Sequence, residues 1–589
     1  MAGWTSDAAR TVAAVRRIRR NGFLHRHVAV SFDATDACVR VRCGAGRICR
    51  PLFVLPRLLA HRACVARMTW PELLRRGVVE FLDALEEHGA DVFIMESSAP
   101  LEAATTDDAR EALARHYTHA EISAALMLGF AASLLPYIAH NAAPRNAFAS
   151  VQIEQAMQAE RFPPFFALQQ NRLVYGQKPL VGTRAMQLLG MASKSIGEHA
   201  VIAVFPHSEG EEDGLVWNRS SLERGLMLCS IDRRHACTVQ PGETLGVSAR
   251  DDHPVRMQQD ADYSHLDEDG IARRGAFVRE GDVLFAKHLK PKGCADGVLV
   301  DSSVTLQNAL GGQVTSRLQA GSAHKVVVST LHQPEVGDKF STRQAQKGVI
   351  SCIESPEDMI FEEATGMVPD AVFSVMGFSR QTEAFVWEAL TGRAACEDPA
   401  FPGTHDTTYV RPETLQDRMH RMERVLKAAG CTSQGASFYV DGRTGRRMKV
   451  RVFTGLVYYL RLKHLVAFKC HSRAKGPTQS ISRQPPRGRG RKGGMRVGEM
   501  EREALASHGA MMTMLERAHK CSDDSLQYFC ARCGFRGMAN RELRIKWCWH
   551  CETGAHIHEL NLGYSTGVFL QEQMSEGVAP RLLIETVHE

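Results

Sequence analysis

Four cysteines near the C-terminus carry the clearest chemical spacing in this chain: Cys530-Ala-Arg-Cys533, then Cys548-Trp-His-Cys551. Two Cys-x-x-Cys knuckles about fifteen residues apart can set four thiolates tetrahedrally around Zn²⁺. Soft sulfur ligands suit zinc, and four of them close the site, leaving His550, His556 and His558 outside it. A pair of disulfides is the competing reading. A closed structural site holds a fold together and by itself names no function.

A second pattern is Gly337-Asp-Lys339-Phe-Ser-Thr-Arg343-Gln-Ala-Gln-Lys347-Gly348. Two lysines eight residues apart, with glycine at either end, can wrap a phosphate or an RNA backbone as compact point charges. The same composition also describes a solvated basic loop. A third pattern is the run 473–496, with Arg473, Lys475, Arg483, Arg487, Arg489, Arg491, Lys492 and Arg496 and no acid before Glu499. Its glycines and prolines predict a loop. Clustered cations beside glycine can follow a phosphate backbone without reading bases; a linker is the alternative.

Elements that must position these groups follow from periodicity. Helical patterning covers 12–23, 70–88, 109–116, 383–390 and 414–429, and a further helix starts near Gly498 and runs to about Ala518. Strand patterns fall at 39–43, 91–95, 200–205, 297–304 and 325–330, so the middle of the chain, about 200–349, is β-rich. The apolar stretch 122–139 has about the minimum length for a bilayer span. It holds Ser123, Ser133 and Pro136 between Glu121 and His140, which predicts a buried helix instead.

At 589 residues the chain exceeds one core, so several domains are expected. Its 44% hydrophobic and 23% charged content is that of a globular protein, and a net charge of +6 permits a nucleic-acid partner without requiring one. Sixteen scattered cysteines and an Arg-rich start without an apolar run argue against a secreted disulfide scaffold and for a reducing compartment.

The motifs taken in order resemble the C-terminal half of the second-largest, beta-type subunit of multisubunit DNA-dependent RNA polymerases. The resemblance rests on Gly337-Asp-Lys-Phe, Gln346-Lys-Gly, Glu357-Asp-Met and Gly366-Met-Val-Pro-Asp. Before them come Tyr117-Thr-His-Ala-Glu-Ile, His140-Asn-Ala-Ala-Pro-Arg-Asn, Gln155-Ala-Met, Gln177-Lys-Pro-Leu, Thr183-Arg-Ala-Met, Glu212-Asp and Asn218-Arg-Ser-Ser. After them come Tyr439-Val-Asp-Gly-Arg-Thr-Gly, Tyr458-Tyr-Leu-Arg-Leu-Lys-His, Arg483-Gln-Pro, Arg496-Val-Gly-Glu-Met-Glu and Pro580-Arg-Leu. From about Val12 onward the agreement spans nearly the whole chain.

The resemblance implies an α+β multidomain protein. Residues 1–115 are an external-region remnant. Residues 116–470 form a β-rich hybrid-binding domain around a double-psi-like β-barrel, and 471–589 hold the basic loop and a clamp segment with a zinc ribbon. It implies that Lys339 and Lys347 line the active centre, Arg145 and Arg380 meet the triphosphate, and Glu212 and Asp213 lie near a nucleotide-borne Mg²⁺. Gln155 and the basic loop then contact nucleic acid, the loop near the template strand and clamp hinge.

The implied reaction is template-directed nucleotidyl transfer from NTPs to RNA, with this chain inactive alone. Mg²⁺ is mainly held by a largest subunit, because the Asn-Ala-Asp-Phe-Asp-Gly-Asp motif is absent here. Further implied partners are the N-terminal half of the same subunit on another chain, smaller assembly subunits, DNA template and RNA, with no membrane. The location is intracellular, either a nucleus or a virion and its host cell. Three departures leave room for a non-catalytic assembly or nucleic-acid-binding paralogue. Glu209-Gly-Glu replaces Tyr-Asn-Gln, Thr342-Arg-Gln-Ala replaces Ser-Arg-His-Gly, and the segment before Arg380 is altered.

Overall fold

The computed structural model describes residues 5, 7–33, 35–44, 47–93, 115–122, 128–160, 163, 165, 167–191, 194–246, 255–256, 261–289, 299–307, 310–398, 401 and 412–585. The chain divides into two compact units, Met1–Val466 and Ala467–Glu589. The architecture is mixed α and β with several separate sheets.

In the first unit, a helix Ala8–Arg20 is tied to the strand Val79–Asp83 and the short helix Ala84–His88 after it through buried charge. Arg19 reaches Glu80 at 2.9 Å and Glu86 at 2.8 Å, with all three groups nearly inaccessible. The expected helix over 70–88 is a correction: Trp70–Arg75 and Ala84–His88 are helical, but a strand lies between them. Gly77 takes a left-handed φ of +63° and ends the first helix, and the β-branched Val79 starts the strand. The strand at 91–95 is described only as Val92–Phe93, and most of the helix expected at 109–116 lies outside the described residues. The apolar stretch 122–139 is likewise corrected. Residues 123–127 lie outside the described set, and the rest forms a four-residue helix, Phe130–Ser133, and a short turn, Ile138–His140. Pro136 cannot donate the backbone hydrogen bond that a continuous helix needs. Among the described residues no helix is long and apolar enough to cross a membrane.

The site-bearing elements are, in chain order, α1 (Ala143–Gln155), β1 (Glu198–Val204), β2 (Gly214–Asn218), β3 (Lys339–Thr342), β4 (Lys347–Glu354), β5 (Ala371–Phe373), α2 (Glu383–Glu397) and β6 (Arg447–Arg461). The six strands are hydrogen-bonded in the order β3-β4-β2-β5-β1-β6, and β6 pairs with β3, so the circuit closes. β4 runs parallel to β2 and β5 parallel to β1; the other four pairings are antiparallel. Closing the circuit removes unpaired edges, and Ala371–Phe373 is buried on both faces while Gly214–Asn218 is buried at all but its first residue. Trp217, Phe340 and Tyr459 fill its interior, with the Trp217 ring 5.0 Å from Phe340 and 5.8 Å from Tyr459.

A five-stranded sheet containing Cys229–Thr238, Gly312–Ala320 and Ala323–His332 belongs largely to the chain inserted between β2 and β3. Its core is Val278, Leu284, Phe285, Val314, Val326 and Val328.

The second unit has less regular structure. The expected helix from Gly498 to about Ala518 is broken into Glu499–Ser507 and Met511–Leu515, followed by a π-helical turn, Glu516–Lys520. Gly509 causes the break by adopting φ +79°. Two hairpin-like strand pairs follow, Asp524–Cys530 with Ile557–Gly563 and Met538–Asn540 with Ile545–Trp547.

Candidate functional site

Lys339 opens β3 and Lys347 opens β4, and the register decides how they meet. Lys339 faces Val349, while Lys347 faces Ser341. The lysines are therefore diagonal neighbours on one face of an antiparallel pair, a relation that brings side chains within reach of a common ligand. Phe340, between them in the alternation, points into the closed interior. Both lysines are half-buried.

Three buried devices fix this pair. Asp338, wholly buried, bonds the equally buried Arg461 of β6 at 2.9 Å and accepts the Val466 backbone N–H at 2.9 Å. Burial raises the Asp338 carboxyl, but His332, the Val466 amide and Arg461 more than offset it, so its pKa lies below the usual range. Arg461 also donates to the carbonyls of Met227 at 2.5 Å and His332 at 2.9 Å, drawing the inserted sheet onto the strand circuit. The second device is Glu388 of α2, which holds Arg343 at 2.5 Å and receives Gln344, clamping the turn between β3 and β4 from behind. In the third, Ser341 donates to Gln152 of α1.

Asp213 and Arg380 join the lysines. The Asp213 carbonyl accepts the Val349 N–H at 3.0 Å, and a side chain at Gly348 would stand 2.7 Å from that oxygen; only glycine admits so close a pass. The Asp213 carboxylate forms an ion pair with Arg380, whose guanidinium also reaches Gln346 at 3.3 Å. Gln346 in turn donates to the Gly377 carbonyl at 2.7 Å and to Thr382 at 2.5 Å. Glu212 sits in the turn before Asp213, exposed and left-handed at φ +49°, with no ion pair among the described residues.

Arg145 occupies the first turn of α1, half-buried, with its guanidinium 5.5 Å from the Phe148 ring centre. Seven residues further along, Gln152 meets β3, so Arg145 stands about 10 Å away along the helix axis. Gln155, at the end of α1, hydrogen-bonds His464 at 3.2 Å and accepts the Lys463 amide. Asp338, Gln346, Glu388 and Arg461 escaped sequence reasoning as site-builders. Asp338, Gln346 and Arg461 lie inside motifs already quoted, but only the register shows which neighbours they hold.

In the second unit the basic run is folded on itself. Arg473 donates to the carbonyls of Lys492 at 2.6 Å and Pro477 at 2.9 Å, His471 bonds the Gly493 carbonyl at 2.6 Å, and Arg483 lies 4.2 Å from the Tyr564 ring centre. Arg489 donates to the Ala467 carbonyl. These residues shape the loop, while Lys475, Arg487, Arg491, Lys492 and Arg496 are exposed.

The four cysteine sulfurs converge within 4.8 Å of one another. Cys530 and Cys551 are 3.9 Å apart, and Cys533 and Cys548 3.5 Å. Tetrahedral Zn–S bonds of about 2.3 Å require S···S edges of roughly 3.8 Å, whereas a disulfide needs about 2.05 Å. The thiol set therefore fits a zinc ion and excludes the disulfide reading. Gly534 lets the tail approach the first knuckle: Leu582 donates to its carbonyl at 2.9 Å, and a side chain there would collide with Arg581.

These features define a multidomain α+β protein with cations gathered on one face of a closed strand circuit and a separate cluster of four converging cysteines. The chain belongs to the family of second-largest RNA polymerase subunits. The family model described as RNA polymerase Rpb2, domain 6 matches residues 131–491; domains 7, 4 and 5 match 493–585, 1–56 and 70–123. DNA-directed RNA polymerase subunit Rpo2 of Sulfolobus acidocaldarius is 31% identical over 99% of this chain and 52% of its own length. DNA-directed RNA polymerase III subunit 2 of Arabidopsis thaliana is 32% identical over 96% of this chain and 51% of its own. DNA-directed RNA polymerase II subunit RPB2 of Encephalitozoon cuniculi is 31% identical over 99% and 52%. The chain spans about half the length of the curated relatives it matches.

Proposed function

We propose that this chain is the catalytic-face portion of the second-largest subunit of a DNA-directed RNA polymerase, working with a largest subunit and other polymerase chains in transcription. The observation that carries this reading is the diagonal pair Lys339 and Lys347, held on one face of β3 and β4 with Asp213 and Arg380 beside it. In nucleotidyl transfer the RNA 3′ hydroxyl gives up its proton, its oxygen bonds to the α-phosphorus, and the bond from that phosphorus to the α–β bridging oxygen breaks to release pyrophosphate, so negative charge must be stabilised on the attacking and the leaving oxygens. Lys339 and Lys347 supply positive charge to the RNA end and the α-phosphate, and Arg145 and Arg380 to the triphosphate tail. Gln155 and the exposed cations of the basic loop contact nucleic acid without reading its sequence.

Glu212 and Asp213 do not by themselves make a magnesium site. Asp213 is engaged by Arg380, and no third ligand joins them among the described residues. Catalytic Mg²⁺ is therefore assigned mainly to the partner subunit. Cys530, Cys533, Cys548 and Cys551 would hold structural zinc, which cross-links the ribbon. The closed circuit of six strands, with two parallel and four antiparallel pairings, is the double-psi-type barrel of a hybrid-binding domain at 116–470. Residues 1–115 are the external-region remnant and 471–589 the clamp segment.

The test is affinity purification of the tagged chain from its native source, followed by RNA extension on a primed scaffold. Co-purification of a largest subunit, with extension abolished by Lys347→Ala while assembly survives, is expected. The Asp213–Arg380 pair, which neutralises two of the implied nucleotide contacts, favours a second reading as a non-catalytic paralogue. Extension indifferent to Lys347→Ala would establish that one.

A further inference from the structure

Gln346 stands immediately before Lys347, buried, with both polar atoms of its side chain engaged around Arg380. Its amide nitrogen donates to the Gly377 carbonyl at 2.7 Å and to Thr382 Oγ1 at 2.5 Å, gripping the chain on both sides of Arg380. Its Oε1 accepts from Arg380 Nη1 at 3.3 Å. Gly377 permits this approach, because a side chain there would meet the Phe373 ring at 2.3 Å and Gln346 Oε1 at 3.3 Å. Arg380 ends the 3₁₀ turn Val375–Arg380, and the next residue, Gln381, is left-handed at φ +53°. A residue with a Cβ persists in that conformation where its surroundings over-determine it. Thr382 also forms a bridge with Asn141, which bonds Asn146, the neighbour of Arg145, at 3.2 Å. Lys347, Arg380 and Arg145 are thus tied into one hydrogen-bonded set centred on Gln346.

We propose, resting on the reading of Arg380 as a triphosphate contact, that Gln346 and Asp213 are positioning residues for its guanidinium, and that Asp213 serves Arg380 instead of a metal ion. Asp213 takes Arg380 Nη2 while Gln346 takes Nη1, so the planar fork is held at both terminal nitrogens. The Nε–H and one hydrogen on each terminal nitrogen have no partner among the described residues. Those donors suit phosphate oxygens, and the ion pair does not consume them. Arg380 is 23% and Asp213 49% accessible, so the pair alone would fix little. Buried Gln346 supplies the rigidity, and the Asp213 main chain is itself pinned, its carbonyl taking the Val349 N–H at 3.0 Å. As a metal ligand Asp213 would have to turn from this guanidinium, and no third ligand joins it and Glu212 among the described residues.

The decisive measurement is equilibrium binding of the templated NTP to the polymerase purified with this chain from its native source. The scaffold RNA ends in a 3′-deoxynucleotide, so nothing turns over and the readout is affinity. Arg380→Ala should weaken NTP binding about tenfold, as loss of a charge-assisted contact does, and binding of the matching nucleoside monophosphate much less. Asp213→Ala and Gln346→Ala should each weaken NTP binding about fivefold, and neither should add to the loss when combined with Arg380→Ala. Scaffold affinity should hold at the wild-type value, which reports intact assembly. Should Gln346→Ala fail to assemble, the cycle between Asp213 and Arg380, both partly exposed, decides alone. Asp213→Ala weakening NTP binding further in the Arg380→Ala protein would overturn the inference, because Asp213 would then act on something else, as a metal ligand does. An assembled Gln346→Ala with full NTP affinity would overturn it too. NTP affinity unmoved by Arg380→Ala alone would instead remove the triphosphate reading, and the inference with it.

Discussion

The strand circuit of the first unit and the cysteine-and-basic-loop region of the second present cations in opposite ways. Around Lys339 and Lys347, position is set by long-range pairing and by buried charge: Asp338 with Arg461, and Glu388 with Arg343, are all inaccessible. Around 473–496 and the cysteine knuckles, position is set by local backbone bonds and four converging thiols, with few buried apolar side chains. The first kind of site should fail with its core, and the second with its metal or its loop closures. That contrast can be broken experimentally.

Zinc removal should give the largest effect. A structural Zn²⁺ site contributes apparent free energy of about 10–16 kcal/mol in small domains, and among the described residues the cluster around the cysteines buries just Cys530, Cys548 and Ile557. Chelation, or Cys548→Ser, should abolish hydrogen-exchange protection of Asp524–Cys530 and Ile557–Gly563. Protection of Glu198–Val204 should remain. One zinc per chain should be released. Loss of protection in both regions together would mean that the two are not separately stabilised.

Next in size is the buried pair behind the lysines. Asp338→Ala leaves Arg461 charged, inaccessible and unpaired, a situation that costs about 3–5 kcal/mol. Denaturant unfolding of the first unit should shift by that amount while zinc content stays constant. Because the Asp338 pKa is lowered in the folded state, its contribution is present above the ordinary aspartate range and is lost as pH falls through the folded value. The stability difference between wild type and variant should therefore shrink on acidification.

How far these sites were legible in the sequence divides along the same line. The cysteine knuckles were fully legible, because four ligands at fixed spacing carry their geometry locally. The lysines were legible as a motif, but their diagonal relation depends on a strand register that no local spacing encodes. The Asp338–Arg461 contact joins residues 123 positions apart. Long helices were over-read at 70–88 and 498–518, where apolar periodicity continues through Gly77 and Gly509 while the backbone turns left-handed. The inserted sheet was read correctly as β-rich from its strand at 325–330, observed as Ala323–His332.

A pH effect of opposite sign comes from Glu198 on β1. It accepts the Met227 N–H at 2.7 Å, its second oxygen has no partner, and burial pushes its pKa up to about 7. A raised carboxyl stabilises the fold below its unfolded pKa and loses that contribution as pH rises through the folded value. Stability of the first unit should thus fall by about 3 kcal/mol between pH 4.5 and 7 from this group. Glu198→Gln should flatten that slope, as read by denaturation midpoints across the range. An unchanged slope would assign the pH dependence elsewhere.

The smallest effect tests the turn that joins the two lysine strands. Ala345, where the resembling family carries glycine, is buried and holds φ +61°, a conformation that costs a residue with a Cβ about 1–2 kcal/mol. Its methyl packs with Leu135, Ile138 and Ala149. Ala345→Gly relieves the strain but frees the unfolded chain, worth about 0.4–1 kcal/mol, and also removes the packed methyl. These terms nearly cancel, so stability should change by less than about 1 kcal/mol. A destabilisation beyond about 2 kcal/mol would show that the methyl contact to α1, and not the backbone, holds the turn. The lysine face would then depend on core packing at one more point, which sharpens its contrast with the unit that carries the four-cysteine cluster.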